Sequence, residues 1–334
     1  MDTVPFGGAY DGAYGVVGAL AAAKALKESG LHLPRPLRVA AFTDEEGPRF
    51  GSGLFGSKAI TGTLDMEHLR HAQDDQKLPL KDAMAQYGCN LEKLPAVSQS
   101  RSGFWGYLEL HIEQGPRLER QQIPIATVTA ITGIRQISLS FIGKANHAGT
   151  TPKAERQNAL RAAAETIAHF SAYVDHRENL VANPGHIEVH PNAANVVPGE
   201  ARLHWDIRSP NPALLDEAYS RLLAMAKEAG RPFQVAVEGK IFHDVPPSPL
   251  HRPWLTVIEA AAARCQLACT RLVSWAGHDA GVLGMVLPAA MIFVPSHQGL
   301  SHAPDELTAD TDLLNGVAVL TETARQLLAE EVSS

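Results

Sequence analysis

The sequence predicts an α/β fold, in which a catalytic domain with a mixed, largely parallel sheet flanked by helices is interrupted by an inserted ferredoxin-like domain. Three observations predict it. Near the start of the chain a helical periodicity leads into a short, nearly all-apolar run, LRVAAFT at 37–43, the signature of a strand buried on both faces. In the middle the chain changes to strands and helices in the order β-α-β-β-α-β, the split-βαβ pattern. After it, the alternation of helix and apolar strand resumes. The expected division is 1–123 and 243–334 for the catalytic domain and 124–242 for the insertion.

The elements follow in order. The chain opens on a Gly-rich loop, MDTVPFGGAYDG. Residues Tyr14 to Ser29 read as a helix, with Val16, Val17, Leu20, Ala23 and Leu26 in helical period and Gly30 placed to end it. The strand at 37–43 delivers TDEEG at its carboxyl end, where open α/β sheets bind ligands. GYLELH, 106–111, repeats the arrangement. In the insertion, strands are expected at 136–142, 185–190, 201–208 and 233–238, with helices at 158–173 and 213–229. Beyond it come a helix at 254–265, a strand at 289–293 and a helix at 312–330. No internal repeat, low-complexity tract or flexible linker interrupts the pattern.

Composition narrows the function. The 334 residues are 45% hydrophobic and 19% charged, ordinary for a globular chain with ample length for a core. The formal net charge of -7 leaves no basic footprint for nucleic acid. Three cysteines, Cys89, Cys265 and Cys269, are too few for a disulfide framework and have no Cys/His neighbours at zinc-knuckle spacing. They are read as reduced, in a cytoplasmic protein. No apolar run is long enough for a membrane span, and the first residues lack the basic start and apolar centre of a signal peptide.

Four residues stand out in loops that follow strands or enter helices: Asp11, Glu46, His111 and His302. Asp44, Glu45 and Glu46 repel one another, and taken alone the triplet equally reads as a surface acidic run. A strand end aimed into a sheet-edge crevice is a poor place for unpaired charge without a cation. Adjacent carboxylates also point differently, so one can bind a metal while its neighbour reaches a water. A lone His at a strand end is more often a satisfied polar residue than a ligand. Together, Asp, Glu and His suit Zn2+ or Mn2+. Metal-assisted hydrolysis follows, with a carboxylate taking the proton of an activated water. In the insertion, His147 in GKANHAGTTP, Asn195 in HPNAANVVPG and Arg208 in WDIRSP form a second set. Their bland reading is a turn, a loop Asn and an edge ion pair. Their functional reading is substrate binding: Arg pairs with a carboxylate in bidentate fashion, Asn both donates and accepts, and His donates to a developing oxyanion. SWAGHDAG adds His278 and Asp279.

The runs DTVPFGGAYDGAYGV, AFTDEEGPRFGSGLFGS, ELHIEQGPRLE, ANHAGTTP, HPNAANVVPGE, DIRSP, AGHDAG and FVPSHQGLSHAPDE cover essentially the whole chain. In this order they resemble the hydantoinase/carbamoylase branch of the superfamily of aminoacylases and zinc carboxypeptidases. That branch includes N-carbamoyl-L-amino acid hydrolases, allantoate amidohydrolases and ureidopropionases. The resemblance implies two divalent metal ions, Zn2+ or Mn2+, with Asp11 as bridging carboxylate, Glu46 and His111 as ligands of one ion each, and His302 as a further ligand. It implies Glu45 as general base and Gln114, His147, Asn195 and Arg208 as substrate-binding positions. His278 is grouped with them, and His147 has a catalytic part as well. The implied partners are a small ureido or amide substrate and a second copy of the chain, with the insertion serving as lid and dimer interface.

Two departures from the family pattern matter. The pattern Ser-His-Leu/Met-Asp-Thr-Val places a metal-ligating His just before the position that Met1 occupies. The expectation is therefore an N-terminally truncated chain, short of one ligand and of early sheet strands, with weakened or lost activity. Trp275 stands where the family has a small residue, which predicts an altered substrate-size preference.

Overall fold

The computed structural model describes residues 4–329. Met1, on which the N-terminal reading rests, and Glu330, the expected last helical residue, lie outside the described residues. The chain divides into two compact units, Met1–Ile131 with Ser248–Ser334, and Thr132–Pro247. The strands are β1 (Tyr107–Ile112) and β2 (Ile125–Ile131) in the first unit, and then β3 (Gly133–Ile142), β4 (Asn146–His147), β5 (Val181–His190), β6 (Val196–Val197), β7 (Glu200–Ser209) and β8 (Ala236–Val245) in the second. The chain returns to the first unit with β9 (Ser248–Pro249), β10 (Cys269–Ser274) and β11 (Ala289–Val294).

The first unit carries a mixed sheet in the order β1-β11-β2-β10, with β9 alongside β2. Strands β1 and β11 are parallel, β11 and β2 antiparallel, and β2 and β10 parallel. Every residue of β11, AAMIFV, is buried, as a central strand covered on both faces requires. Helices Ala13–Glu28, Arg252–Arg264 and Asp310–Ala329 flank the sheet, and Leu110, Ile112, Ile258, Phe293 and Val319 fall in one core with Tyr14. The first helix lies hard against β1, because a Cβ on Gly15 would come within 2.6 Å of the Leu110 carbonyl oxygen.

The second unit has the order strand, helix, strand, strand, helix, strand, through β3, Ala159–Asp175, β5, β7, Pro212–Gly230 and β8. Its antiparallel sheet runs β5-β7-β3-β8. The helices Ala159–Asp175 and Pro212–Gly230 start on Asn158 and Asn211, whose side chains accept from Arg161 and Ala213 backbone N–H groups, the preferred N-cap chemistry. Their apolar stripes share a core with Ile137, Leu139, Phe141, Leu203, Trp205 and Ile207, the inward set of two alternating strands.

Two features differ from the sequence reading. The breaks fall at 131/132 and 247/248 rather than 123/124 and 242/243, because β2 pairs with β10 and β11 and so belongs to the first sheet. More consequentially, 37–43 is not a strand, and Leu37 is 43% exposed. An apolar run becomes a strand only where a neighbour accepts and donates along its length. Among the described residues β1 is laddered on one side only, to β11, and no strand pairs with 37–43. No described helix is long and apolar enough to cross a membrane.

Candidate metal centre and active site

Asp11 lies just before the helix Ala13–Glu28, and Gly12, at φ +62°, turns the chain into it. The buried Glu306 fixes this corner: its Oε1 accepts from the backbone N–H of Tyr10 (2.8 Å) and of Asp11 (2.9 Å), and its Oε2 accepts from the Ser301 hydroxyl (2.8 Å). Gly8 makes room for it, since a Cβ there would run into the Glu306 carboxylate.

The Asp11 carboxylate is the hub. Its Oδ1 lies 2.9 Å from Nε2 of His111, and its Oδ2 lies 3.2 Å from Nε2 of His302. The Gln114 amide donates to Oδ2 at 2.7 Å, and the Ser301 hydroxyl, 3.0 Å from it, shares its single proton between Asp11 Oδ2 and Glu306 Oε2. His302 Nε2 is also 2.9 Å from Glu46 Oε1. Burial raises the Asp11 carboxyl, but the hydrogen bond and charge of His111, with help from Ser301 and His302, hold it well below the usual carboxylate range.

Each partner is positioned by local structure. His111 sits near the end of β1, 7% exposed, and its Nδ1 bonds the Ile112 carbonyl at 2.7 Å. That contact puts a proton on Nδ1 and turns Nε2 toward Asp11. Burial lowers the imidazole, yet the Asp11 hydrogen bond and charge push it up to about 9. Glu45 and Glu46 ride a loop tied back on itself, since Thr43, Asp44 and Glu45 carbonyls accept from Gly56, Phe55 and Leu54. A Cβ on Gly53 would come within 2.7 Å of the Glu45 carbonyl oxygen. Asp44, Gln114 and His302 all hold left-handed φ of 54° to 56°, a conformation that costs non-glycine residues on the order of 1 kcal/mol each and clusters at functional sites.

Behind His111 lies a second, more buried layer. The His278 ring is 3% exposed and meets His111 edge-on at 4.6 Å between centroids. Glu109, on the same face of β1 as His111, accepts from the Ala280 backbone N–H at 2.8 Å. Burial, and then Asp279, push Glu109 up to about 7. Burial, with Glu46, Asp279 and Glu109, pushes Glu45 up to about 9. Asp279 Oδ1 is buried without a hydrogen-bond partner among the described residues. Crowded buried carboxylates beside imidazoles are the donor chemistry of a divalent cation site. Two groups place ligand atoms within 4.8 Å of one another, Asp11 with Glu46 and His302, and Glu109 with His111 and His278. Both sets line a cavity of about 460 Å3 together with Glu45, except for His302, which is half exposed at its edge.

His147, Asn195 and Arg208 belong to the second unit. The β4–β6 ladder brings the first two together, with His147 opposite Val196 and the Ala148 N–H donating to the Asn195 carbonyl at 2.9 Å. His147 Nδ1 accepts from the N–H groups of Gly149 (3.0 Å) and Thr150 (3.1 Å), so the ring proton resides on Nε2, a donor facing out. Arg208 is the penultimate residue of β7, and its Nε donates to Asp206 at 2.8 Å.

Sequence reasoning passed over Glu306, Ser301 and Glu109. Glu306 and Ser301 lie in GLSHAPDE, and Glu109 sits two residues before His111 in ELH, one step along the same strand face. That period-two spacing was the available signal.

The model of peptidase family M20/M25/M40 matches residues 1–326. The chain belongs to that family. It is 36% identical over 328 residues to an N-carbamoyl-L-amino-acid amidohydrolase of Paenarthrobacter aurescens, covering 98% of this chain and 80% of the relative. It is 34% identical to an allantoate amidohydrolase of Bacillus subtilis, over 96% of this chain and 78% of the relative. Among solved structures, a hydantoinase/carbamoylase family amidase from Burkholderia multivorans superposes with a TM-score of 0.87 at 29% identity, covering 99% of this chain and 80% of that one. Membership in this family, with relatives named as amidohydrolases, makes the chain an amidohydrolase acting on C–N bonds, and the two candidate metal-ligand groups fit it.

Proposed function

We propose that the chain hydrolyses the ureido C–N bond of N-carbamoyl-L-amino acids, using two divalent ions, Zn2+ or Mn2+, held by Asp11, Glu46, His111 and His302. The observation that carries this is Asp11, whose two oxygens face two different imidazoles, His111 and His302, while Glu46 shares the second. When bound, such ions polarise a carbonyl and make a water acidic enough to react near neutral pH. Glu45, beside the ligand Glu46 and lining the same cavity, takes the proton from the attacking water. Cations would offset the carboxylate crowding that pushes Glu45 up, returning it to the basic form. Water adds to the carbamoyl carbon, the bond to the amino-acid nitrogen breaks, and Glu45 hands its proton to that nitrogen. The carbamate left behind decomposes to carbon dioxide and ammonia. His147, with its proton on Nε2, donates to the developing oxyanion, and Arg208 and Asn195 bind the substrate carboxylate and ureido group. Gln114 orients the Asp11 carboxylate by its 2.7 Å bond.

The functional form in this reading is a homodimer formed through the second unit, where Val181, Ile187 and Phe242 expose apolar side chains. The relatives' names support allantoate as the alternative substrate of the same chemistry; 3-ureidopropionate would engage the same Arg208 and Asn195. A second reading, a catalytically impaired form of the fold, is favoured by one observation: among the described residues, the run 37–43 has no ladder partner and β1 is paired on one side only. The test is ammonia release from N-carbamoyl-L-methionine, allantoate and 3-ureidopropionate by metal-loaded protein, with Glu45→Gln as control. Release from the first substrate, lost in the variant, supports the proposal. Release only from allantoate or ureidopropionate moves the substrate, and none from any of the three favours the impaired form.

A further inference from the structure

Arg156 is half-buried, yet among the described residues its guanidinium meets no carboxylate. It is spent on two backbone carbonyls, with Nη2 donating to Ala148 at 2.6 Å and Nε to Thr151 at 3.0 Å. Drawing a cation partly out of water for carbonyls alone costs free energy that an exposed position would avoid. Both carbonyls belong to the turn that carries His147. The short helical turn Lys153–Glu155 leads the chain back, so that Arg156 supports the His147 turn while His147 itself is exposed.

One amide joins the two side chains. The Ala148 carbonyl that accepts from Arg156 and the Gly149 N–H that donates to His147 Nδ1 at 3.0 Å are the two ends of a single planar peptide group. In a trans peptide those ends point in opposite directions, so the amide lies between guanidinium and imidazole. A cation bonded to the oxygen polarises the N–H, because hydrogen bonds in a chain strengthen one another. That N–H, with the Thr150 N–H at 3.1 Å, holds the lone pair of the ring on Nδ1, and the ring proton is then on Nε2. A Cβ on Gly149 would come within 3.2 Å of His147 Cε1, so the ring lies close over this peptide. The second carbonyl closes the far end of the turn. The Thr151 N–H and hydroxyl both donate to the His147 carbonyl, at 3.2 and 2.6 Å, and the Thr151 carbonyl is held by Arg156.

We infer that Arg156 is a positioning residue for His147: acting through the Ala148–Gly149 amide, it keeps the ring in the single tautomer that presents an Nε2–H donor to the substrate. The inference rests on the reading above of His147 as oxyanion donor. Arg156 does this without touching substrate, since its bonds go to the backbone of its own turn.

The test is nitrogen NMR of the full chain carrying isotopically labelled histidine, in alkaline buffer where imidazoles are neutral. It is run beside ammonia release from N-carbamoyl-L-methionine by the metal-loaded protein. The His147 signals are assigned by their absence from His147→Gln. The wild type, which needs no variant, should show one tautomer with the proton on Nε2; a proton on Nδ1 overturns the inference. In Arg156→Gln the ring should become a mixture of tautomers. Its kcat should fall roughly 10- to 100-fold, up to the cost of one lost oxyanion donor, with KM within about threefold of wild type. Arg156→Lys, which keeps a cation but not the planar fork, should recover part of both losses. An Arg156→Gln variant with the wild-type tautomer and kcat overturns the inference and leaves the oxyanion reading of His147 intact. A changed tautomer with kcat unchanged overturns that reading and the inference with it.

Discussion

His111 offers Nε2 to Asp11 Oδ1 at 2.9 Å while the Ile112 carbonyl holds its Nδ1 at 2.7 Å. This one ring joins the buried Asp11, which also meets His302, to the layer of Glu109 and His278 behind it. It also sets the behaviour of the metal-free protein, from which the first prediction follows.

Stability of the metal-free chain falls as pH rises from about 6.5 to about 9. His111 is pushed up to about 9 from 6.5, so its ion pair with Asp11 stabilises fully below pH 6.5 and is lost as pH rises through about 9. Glu45 is pushed up to about 9 from 4.5, so over that window the folded chain keeps a proton the unfolded chain releases. Both terms make the folded state bind more protons, and stability then decreases with pH. Thermal melts of stripped protein across this range check the sign. Added Zn2+ should raise the melting temperature most at the alkaline end, where no proton has to be displaced.

Glu306→Gln should weaken metal binding roughly 10- to 100-fold without touching a proposed ligand, as loss of an outer-shell partner does. The substitution removes the charge that draws in the Tyr10 and Asp11 N–H groups and the Ser301 hydroxyl. Titration calorimetry with Zn2+ reads the effect directly.

Glu45→Gln should lower kcat by roughly 10²- to 10⁴-fold, the range for a lost general base, while both ions stay bound. Metal analysis of the purified variant alongside its kcat separates this from a folding defect.

Gly53→Ala should destabilise the protein by about 1–3 kcal/mol, the usual cost of forcing atoms into filled space. The new Cβ would press on the Glu45 carbonyl oxygen. Urea unfolding measures the cost. Because the loop carrying Glu45 must yield, kcat should fall with it.

Much of this was legible in the sequence for a physical reason. Asp11 precedes a helix, His111 lies near the end of β1 and Glu46 and His302 lie in loops, and the fold brings all four together in the first unit. The alternation in Gln136–Ile142 marks most of β3 because one face alone is buried. The run 37–43 misled because a short apolar run reports burial and not the presence of a hydrogen-bonding neighbour. CTRLVS, β10, went unread because a short edge strand carrying Arg271 has no clear period. IATVTAI, β2, was taken into the insertion, since nothing in a β-branched run tells which of two sheets it will join. Glu306 could not be found by spacing, because its partners Tyr10 and Asp11 stand nearly the whole chain away.

The most direct test of the central claim is ammonia release from N-carbamoyl-L-methionine by one protein preparation, assayed after metal stripping and again after reloading with Mn2+ or Zn2+. The account predicts no release from stripped protein, release on reloading, and none from reloaded Asp11→Asn. Equal turnover before and after stripping, or an Asp11→Asn variant as active as wild type, would contradict it.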